Sequence, residues 1–584
     1  MRADLDVRIG VCSRRASSPA WQGSWKTGDV STDAAAFSGV ALLAIVAPFE
    51  ITAPLLRLPM QSISNLEAAI VCACLLGAGA VIVRQLAPGS APRIAAPWLA
   101  FLAICALASL VSPVSRVNAL HMTGRLAAAC AVCLVTLAAA TTTARIRTIG
   151  RLLVAAGVAV AVLAILEYLD IGPVRRLLTA FRPAVTTVGA QLRAGGPLQY
   201  PTIASMYLEI VFAIGVGLLV GAVDGRDRRE SALLVAALLV VSEAIALTFT
   251  RAGLITMTST LAIAAVVRCR AAGVDRAVAT LGALAAAIVV LFAAPRSTDA
   301  LWLRMTSEGQ EAWYRARIDA PPDVSLATDD VSAVRVAATN TGRLVWDSTV
   351  TPPFYLSYHW LSKDGSRVVA FEGARTPFDT PVRPGDTAVV RAYVRAPQQA
   401  GTYRLVWDIV QEGRLWFTSE PGAEPAVSRA EVSGSIGRTD LRTAPLPKPT
   451  VRPGRLVLWR AAVRIFAAHP FVGVGPDNFR LAYGPYAGLA TPDPRTHSNN
   501  MYLEVLTGSG LAGAAAFAWL LWRIGRTVDL ANVGALCALA AIAIHGLVDS
   551  FLSFAPTYVL FAMTLGLACA RPRETEIGPD AYRV

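Results

Sequence analysis

The chain reads as a polytopic α-helical membrane protein of about twelve transmembrane helices with an all-β sandwich inserted in its largest external loop. Three observations predict this. Of 584 residues, 54% are hydrophobic and 16% charged, and the mean hydropathy is +0.51, a balance foreign to soluble globular chains. Apolar runs of roughly the 20 residues needed to cross hydrocarbon recur on both sides of the middle of the chain. Between them lies a stretch, 313–435, built of short β-rich runs separated by turn signals.

Residues 1–33 are polar and of mixed charge and read as a cytoplasmic tail. The first apolar run lacks the short basic flank and small-residue cleavage site of a signal peptide, so it reads as an anchor. Spans are expected at 36–56, 66–86, 95–112, 119–140, 150–170, 201–222, 231–249, 252–268, 277–294, 508–524, 530–552 and 555–570. The first nine fill 34–294 and the last three fill 508–570. Residues 571–584 form a second cytoplasmic tail.

Arginine placement sets the expected orientation. Arg84 and Arg93, the group Arg145, Arg147 and Arg151, the group Arg226, Arg228 and Arg229, the group Arg268, Arg270 and Arg276, the pair Arg523 and Arg526, and Arg571 with Arg573 all fall on one side. That side is expected to be the cytoplasm, and both termini with it. The net charge of +13 then belongs to short inter-helix loops facing anionic lipid. It does not form the concentrated basic surface of a nucleic-acid binder. The loop 172–200, with Arg175, Arg176, Arg182 and Arg193, breaks the bias on the outer side. An anionic ligand at the outer face is the simplest cause.

The large external region is expected to span 295–507. Within it, the runs 331–336, 355–361, 367–371, 389–394, 403–410 and 415–417 read as strands, about seven in roughly 120 residues. In Tyr403–Ile409 the larger apolar residues alternate, as in a half-buried strand. Asn340-Thr-Gly342, Lys363-Asp-Gly365, Arg383-Pro-Gly-Asp386 and Gln411-Glu-Gly413 mark turns. The passage PGDTAVVRAYVRAPQQAGTYRLVWDIVQEG resembles immunoglobulin-like modules of bacterial surface and carbohydrate-active proteins. His359, inside a strand, reads as structural.

After the insert, 453–469 reads as a basic amphipathic helix. Arg455, Arg460 and Arg464 oppose Leu458, Trp459, Ala462, Val463 and Phe466, and His469-Pro470 stops it. Gly473-Val-Gly475-Pro476 lacks the strand–helix context of a dinucleotide site and reads as a turn.

Polar residues that membrane packing leaves unexplained are the site candidates. Arg193, Arg251, Arg455 and His497 are all expected at the outer boundary. Arginines bind phosphate oxygens, and a histidine moves a proton near neutral pH. Within spans, His545 and Asp549, spaced i and i+4, are expected to share one helix face as a buried pair. Glu243 is a further buried carboxylate, about two turns before Arg251. No His-Glu-x-x-His motif is present, and the one Asp-x-Asp, Asp4-Leu-Asp6, lies in the expected cytoplasmic tail. No metal and no cofactor is therefore expected. None of the nine cysteines lies between Cys269 and Cys537, so the external region holds neither disulfide nor thiolate metal site.

The motifs LTFTRAGL, GRLVLWRAAVRIFAAHPFVGVGPDNF and HSNNMYLEVLTGSGLAG, with HGLVDSFL in support, resemble the O-antigen ligase and O-antigen polymerase family of bacterial envelope proteins. The resemblance covers the membrane portion, 36–570 without the insert. It implies a C-type glycosyltransferase-like helical fold in the inner membrane. It also implies transfer of a glycan from undecaprenyl diphosphate to an acceptor hydroxyl, on a glycan, lipid or protein, without metal. By resemblance Arg251, Arg455 and more loosely Arg193 match the arginines that hold the diphosphate, and a histidine near the tenth span acts as base. In many members that histidine stands where this chain has Asn499, four residues before Leu503. Here His497 is expected to take the role, with Asn499 and Asn500 in support. The same motifs fit a polysaccharide polymerase or a protein O-glycosyltransferase. A lipid-linked glycan transporter would need charge spread through the spans, whereas here it gathers at one face.

Overall fold

The computed structural model describes residues 29–57, 62–86, 94–182, 186–188, 191–293, 313–349, 353–412, 415–420, 423–434, 455–488, 492, 494–528 and 532–571. Most of the two expected cytoplasmic tails, Arg93, and the start of the expected external region at 295–312 lie outside the described residues.

Fifteen α-helices are described: α1 Asp29–Val46, α2 Asn65–Leu86, α3 Ala95–Leu110, α4 Arg116–Ala139, α5 Thr143–Tyr168, α6 Gly172–Leu178, α7 Pro201–Asp224, α8 Arg228–Leu247, α9 Arg251–Ala272, α10 Arg276–Phe292, α11 Arg455–Ala468, α12 Phe479–Ala487, α13 Met501–Gly525, α14 Val533–His545 and α15 Ala555–Cys569. Each expected span overlaps one of these helices. Seven (α2, α4, α5, α7, α8, α9 and α13) are long and apolar enough to cross a membrane, and α1, α3, α10, α14 and α15 are shorter apolar helices. This is a polytopic helical membrane protein.

Local sequence explains where the helices begin. The side chains of Ser115, Thr142, Asp227, Asp275, Asn500 and Asn532 accept backbone N–H groups in the first turns of α4, α5, α8, α10, α13 and α14. Each such cap is worth about 1 kcal/mol over alanine. Two helix ends fall well short of expectation. The first helix starts in the expected tail and stops at Val46, just before Pro48, rather than running on to residue 56. The eleventh stops at His545 and gives way to turns, so it is shorter than 530–552.

α7 is the central post, buried along 78% of its apolar window. It meets α14 through Gly217 and Gly534. A Cβ at Gly217 would lie 2.4 Å from the Gly534 Cα, so only two glycines allow that approach.

Two small hairpins flank the bundle, β1 Leu56–Arg57 with β2 Ser62–Ile63, and β3 Thr186–Val188 with β4 Gln191–Arg193. Among its described residues the insert holds ten strands: β5 Ala316–Asp319, β6 Asp323–Ala327, β7 Val331–Asn340, β8 Phe354–Ser362, β9 Val368–Ala370, β10 Thr376–Pro377, β11 Thr387–Arg395, β12 Gly401–Gln411, β13 Leu415–Trp416 and β14 Ala426–Ser433. One sheet runs β10-β8-β12-β14-β6, with β9 on β8 and β13 on β12; the other runs β11-β7-β5. Both contribute to one core, with Leu356, Trp407 and Val432 from the first and Val336 and Val394 from the second. β5, β6, β10 and β14 are strands that the short β-rich runs did not signal. The alternation expected in Tyr403–Ile409 turns into continuous burial over Trp407–Gln411, because β12 is central, paired on both edges. His359 stacks on Phe371 at 4.4 Å, and its Nε2 lies 3.2 Å from Asp408. It is a packed core histidine, as expected.

Candidate active site at the helix ends

The candidate residues gather where α7, α9, α13 and α15 begin and where α8 and α14 end. Arg193 closes β4. Its Nε donates to the Thr248 carbonyl at 2.9 Å and an Nη reaches the Thr250 hydroxyl at 3.3 Å. Thr250 is the residue before α9, and exposed Arg251 opens that helix. Only Thr248, Phe249 and Thr250 separate α8 from α9. Phe249 takes the left-handed conformation, φ +55°, to turn the chain so sharply.

The Arg193 loop is fixed from below by a charge pair. Arg182 forms a buried ion pair with Glu167. The other Glu167 oxygen accepts the N–H groups of Gly195 and Gly196 at 3.1 and 2.9 Å. Burial lowers the Arg182 pKa to about 10, still well above neutral, so the guanidinium stays charged. Of the four arginines in 172–200, Arg182 therefore serves the fold.

The histidine arm is built by a break in α13. Gly510 departs from helical geometry (φ +63°, ψ −164°). The break frees the carbonyls of Thr507 and Gly508, which accept the N–H groups of Val474 and Gly475, each at 2.9 Å. Gly473 and Gly475 have φ of +70° and +97°, and a Cβ at Gly473 would lie 2.4 Å from the Thr507 carbonyl oxygen. The Gly-Val-Gly turn is thus the partner of the helix break. Asn478 anchors the same turn to the α3–α4 connection, donating to the Ser112 hydroxyl and the Ser115 carbonyl, both at 2.9 Å.

This turn places Asp477, itself left-handed at φ +63°, beside His497. The His497 Nδ1 is 3.7 Å from Asp477 Oδ1 and 3.7 Å from Glu504 Oε1, with 17% of its side chain exposed. Nδ1 is buried and has no hydrogen-bond partner among the described residues. Burial disfavours the imidazolium, but the carboxylates of Glu504 and Asp477 outweigh it, against Arg480, and hold the pKa above its ordinary 6.5. Arg480 is itself tied to Asp477 at 2.8 Å and to Asn118. Glu504 also accepts the Ser498 N–H at 2.6 Å. A cavity of about 30 Å³ adjoins Asp477 and Glu504, enough for water and too small for a sugar.

The neighbours of His497 have local tasks. Asn499 holds φ +51°, where asparagine is tolerated. Asn500 caps α13 through Tyr502 and Leu503 and donates to the Leu547 carbonyl at 2.8 Å. Arg455 is exposed at the start of α11. Trp459, one turn on, donates to the Ser498 carbonyl at 3.1 Å. The buried stripe of α11 is Leu458, Ala461, Ala462 and Ile465. Val463, expected on that face, is 55% exposed.

The two arms meet through rings and a buried pair. Phe554, before α15, packs edge-on against His497 at 6.1 Å and against Tyr200, before α7, at 6.3 Å. Beneath them the His545 Nδ1 lies 2.8 Å from Glu209 on α7, and Glu209 accepts from Thr256 on α9 at 2.6 Å. The expected His545–Asp549 pair is therefore not formed. The helix ends at His545, and Asp549 meets it through the backbone, its N–H donating to the His545 carbonyl at 3.0 Å. Instead the Asp549 side chain accepts its neighbour's N–H from Ser550, and its carbonyl accepts from Met501. Arg455 lies within electrostatic reach of His545. Glu243 is buried near the end of α8.

Sequence reasoning missed Asp477, Glu504 and Glu209. Glu209 had the signal that singled out Glu243, a carboxylate inside an apolar span. Asp477 and Glu504 had only nearness to His497.

A comparison with curated proteins finds no match. Residues 437–518, which carry α11, the Gly-Val-Gly turn, His497 and the broken helix, match the family model described as O-antigen ligase. That match covers the segment that builds the histidine arm and supports a membrane glycan-processing enzyme of the ligase or polymerase type.

Proposed function

We propose that this chain transfers a glycan from undecaprenyl diphosphate to an acceptor hydroxyl at the outer face of the bacterial inner membrane, as an O-antigen ligase-like enzyme that needs no metal. The observation that carries the reading is the seating of His497 between Asp477 and Glu504, inside the family segment and at the same bundle end as Arg193 and Arg251. The acceptor oxygen attacks the anomeric carbon while the carbon–oxygen bond to the diphosphate breaks. The bonding pair leaves with the diphosphate, where Arg193, Arg251 and Arg455 stabilise the charge. His497 takes the acceptor proton, and the two carboxylates favour the imidazolium that results. Such a displacement inverts the anomeric centre.

In this reading about twelve helices span the membrane, both tails are cytoplasmic, and the insert is an external immunoglobulin-like domain. The test is mass spectrometry of glycan acceptors in cells carrying the wild-type chain or His497→Ala. Loss of the acceptor product on a cost of about 10²–10⁴-fold in turnover, with the protein retained in the membrane, supports the reading. Normal transfer by His497→Ala refutes it. A product lengthened on the lipid carrier assigns a polymerase, and a glycopeptide a protein O-glycosyltransferase.

A further inference from the structure

A second cavity lies at the opposite end of the bundle, where α5 and α8 begin and α7 ends. Its volume is about 310 Å³, ten times that beside His497 and at the lower end of what small-molecule pockets span. α7 has 24 residues, so about 36 Å of helix separates the two ends. The walls are apolar, with Ile214 and Leu218 of α7 facing Gly150 of α5 and Leu567 of α15. Glycine leaves the space open, since a Cβ at Gly221 would meet only an Arg147 Nη, at 3.9 Å.

The mouth is polar and unbalanced in charge. Glu230 lines it but is taken by Arg151 at 2.7 Å. Asp224, at the end of α7, is taken by Arg268 at 2.6 Å, and Asp227 caps α8. Arg145 donates to the Asp33 carbonyl and the Thr141 hydroxyl. Arg147 alone of this group makes no hydrogen bond or ion pair among the described residues. Its guanidinium stands exposed beside Gly221, over the apolar space.

We propose that this cavity is a binding site for an anionic phospholipid, with one acyl chain between α5, α7 and α15 and the phosphate on Arg147. An apolar slot at helix ends in a bilayer is filled by lipid, and an unpaired arginine at its mouth selects headgroups of net negative charge. The site is separate from the histidine arm and does not depend on the reaction proposed for it.

Native mass spectrometry of the full-length protein, titrated with phosphatidylglycerol, phosphatidylcholine or inorganic phosphate, tests this. Wild type is expected to retain phosphatidylglycerol at least tenfold more tightly than phosphatidylcholine and to show no saturable phosphate adduct. Arg147→Gln should weaken phosphatidylglycerol about tenfold and abolish the preference over phosphatidylcholine. Gly221→Leu fills the slot without a backbone clash and should remove the adduct while circular dichroism stays helical. Equal retention of the two lipids by wild type, an undiminished adduct in Gly221→Leu, or saturable phosphate binding would each overturn the proposal.

Discussion

Glu504→Gln tests whether the carboxylates beside His497 set its proton affinity. Glutamine keeps the oxygen that accepts the Ser498 N–H at 2.6 Å and removes only the charge. At 3.7 Å a unit charge pair is worth about 4 kcal/mol at an effective dielectric of 20 and about 1 kcal/mol in bulk water. Both side chains are largely buried, 17% and 12% exposed, so the interaction lies toward the larger figure. At 1.36 kcal/mol per unit, the substitution should move the acid limb of the pH–rate profile down by at least about one pH unit. A base must be neutral to act, so wild-type activity should rise as pH climbs through the raised pKa of His497, and the variant should reach its plateau earlier. Stability should respond with the matching sign. A raised folded-state pKa gives stabilisation that is complete below the unfolded value and lost as pH rises through the folded one; the variant should show less of that loss. The readout independent of catalysis is carbethoxylation of His497, which requires the neutral ring, followed by mass spectrometry from pH 5 to 8. An unchanged pH dependence of both labelling and transfer would refute the electrostatic argument.

Three further outcomes follow from other contacts. Glu209→Ala strips His545 of its buried partner and should cost about 3–5 kcal/mol, read as a lowered unfolding temperature in detergent. Arg182→Ala should leave Glu167 unpaired beneath the Arg193 loop, and hydrogen exchange at Gly195 and Gly196 should speed up while that at α7 does not. Arg251→Lys should leave the protein folded but recover little transfer, because a point charge does not reproduce a planar two-pronged contact; full activity would make Arg251 an interfacial anchor.

The apolar helices were legible because a span must satisfy its backbone internally, which leaves a run of fixed length in the sequence. Their ends were less so. α14 stops at His545 although the apolar composition continues, and the carbonyls of Gly546, Leu547 and Asp549 beyond it accept from Met501 and Asn500. The β insert was legible at the apolar-rich strands β7, β8, β11 and β12 and illegible at β5, β6, β10 and β14, although β5, β6 and β14 alternate in burial. β14 meets β6 in parallel from a distance in sequence, and long-range pairing leaves no local turn signal.

The site was half legible for a related reason. Residue type alone singled out His497, Arg193 and Arg251, because such groups are costly at a membrane boundary unless they have a task. The partners could not be assigned that way, since His497 and His545 are each matched by a glutamate on a different principle. Glu504 reaches His497 within one loop and the first turn of α13; Glu209 reaches His545 across the bundle, 336 positions away. Both glutamates end the same tetrapeptide, Met206-Tyr-Leu-Glu209 and Met501-Tyr-Leu-Glu504, each near the start of a helix. In each case the glutamate turns inward to a histidine at the same end of the bundle. His545 is 1% exposed and holds α7 to α14, while His497 keeps 17% exposure. That difference in enclosure, which no spacing rule encodes, separates the histidine that ties helices together from the one we propose as the base.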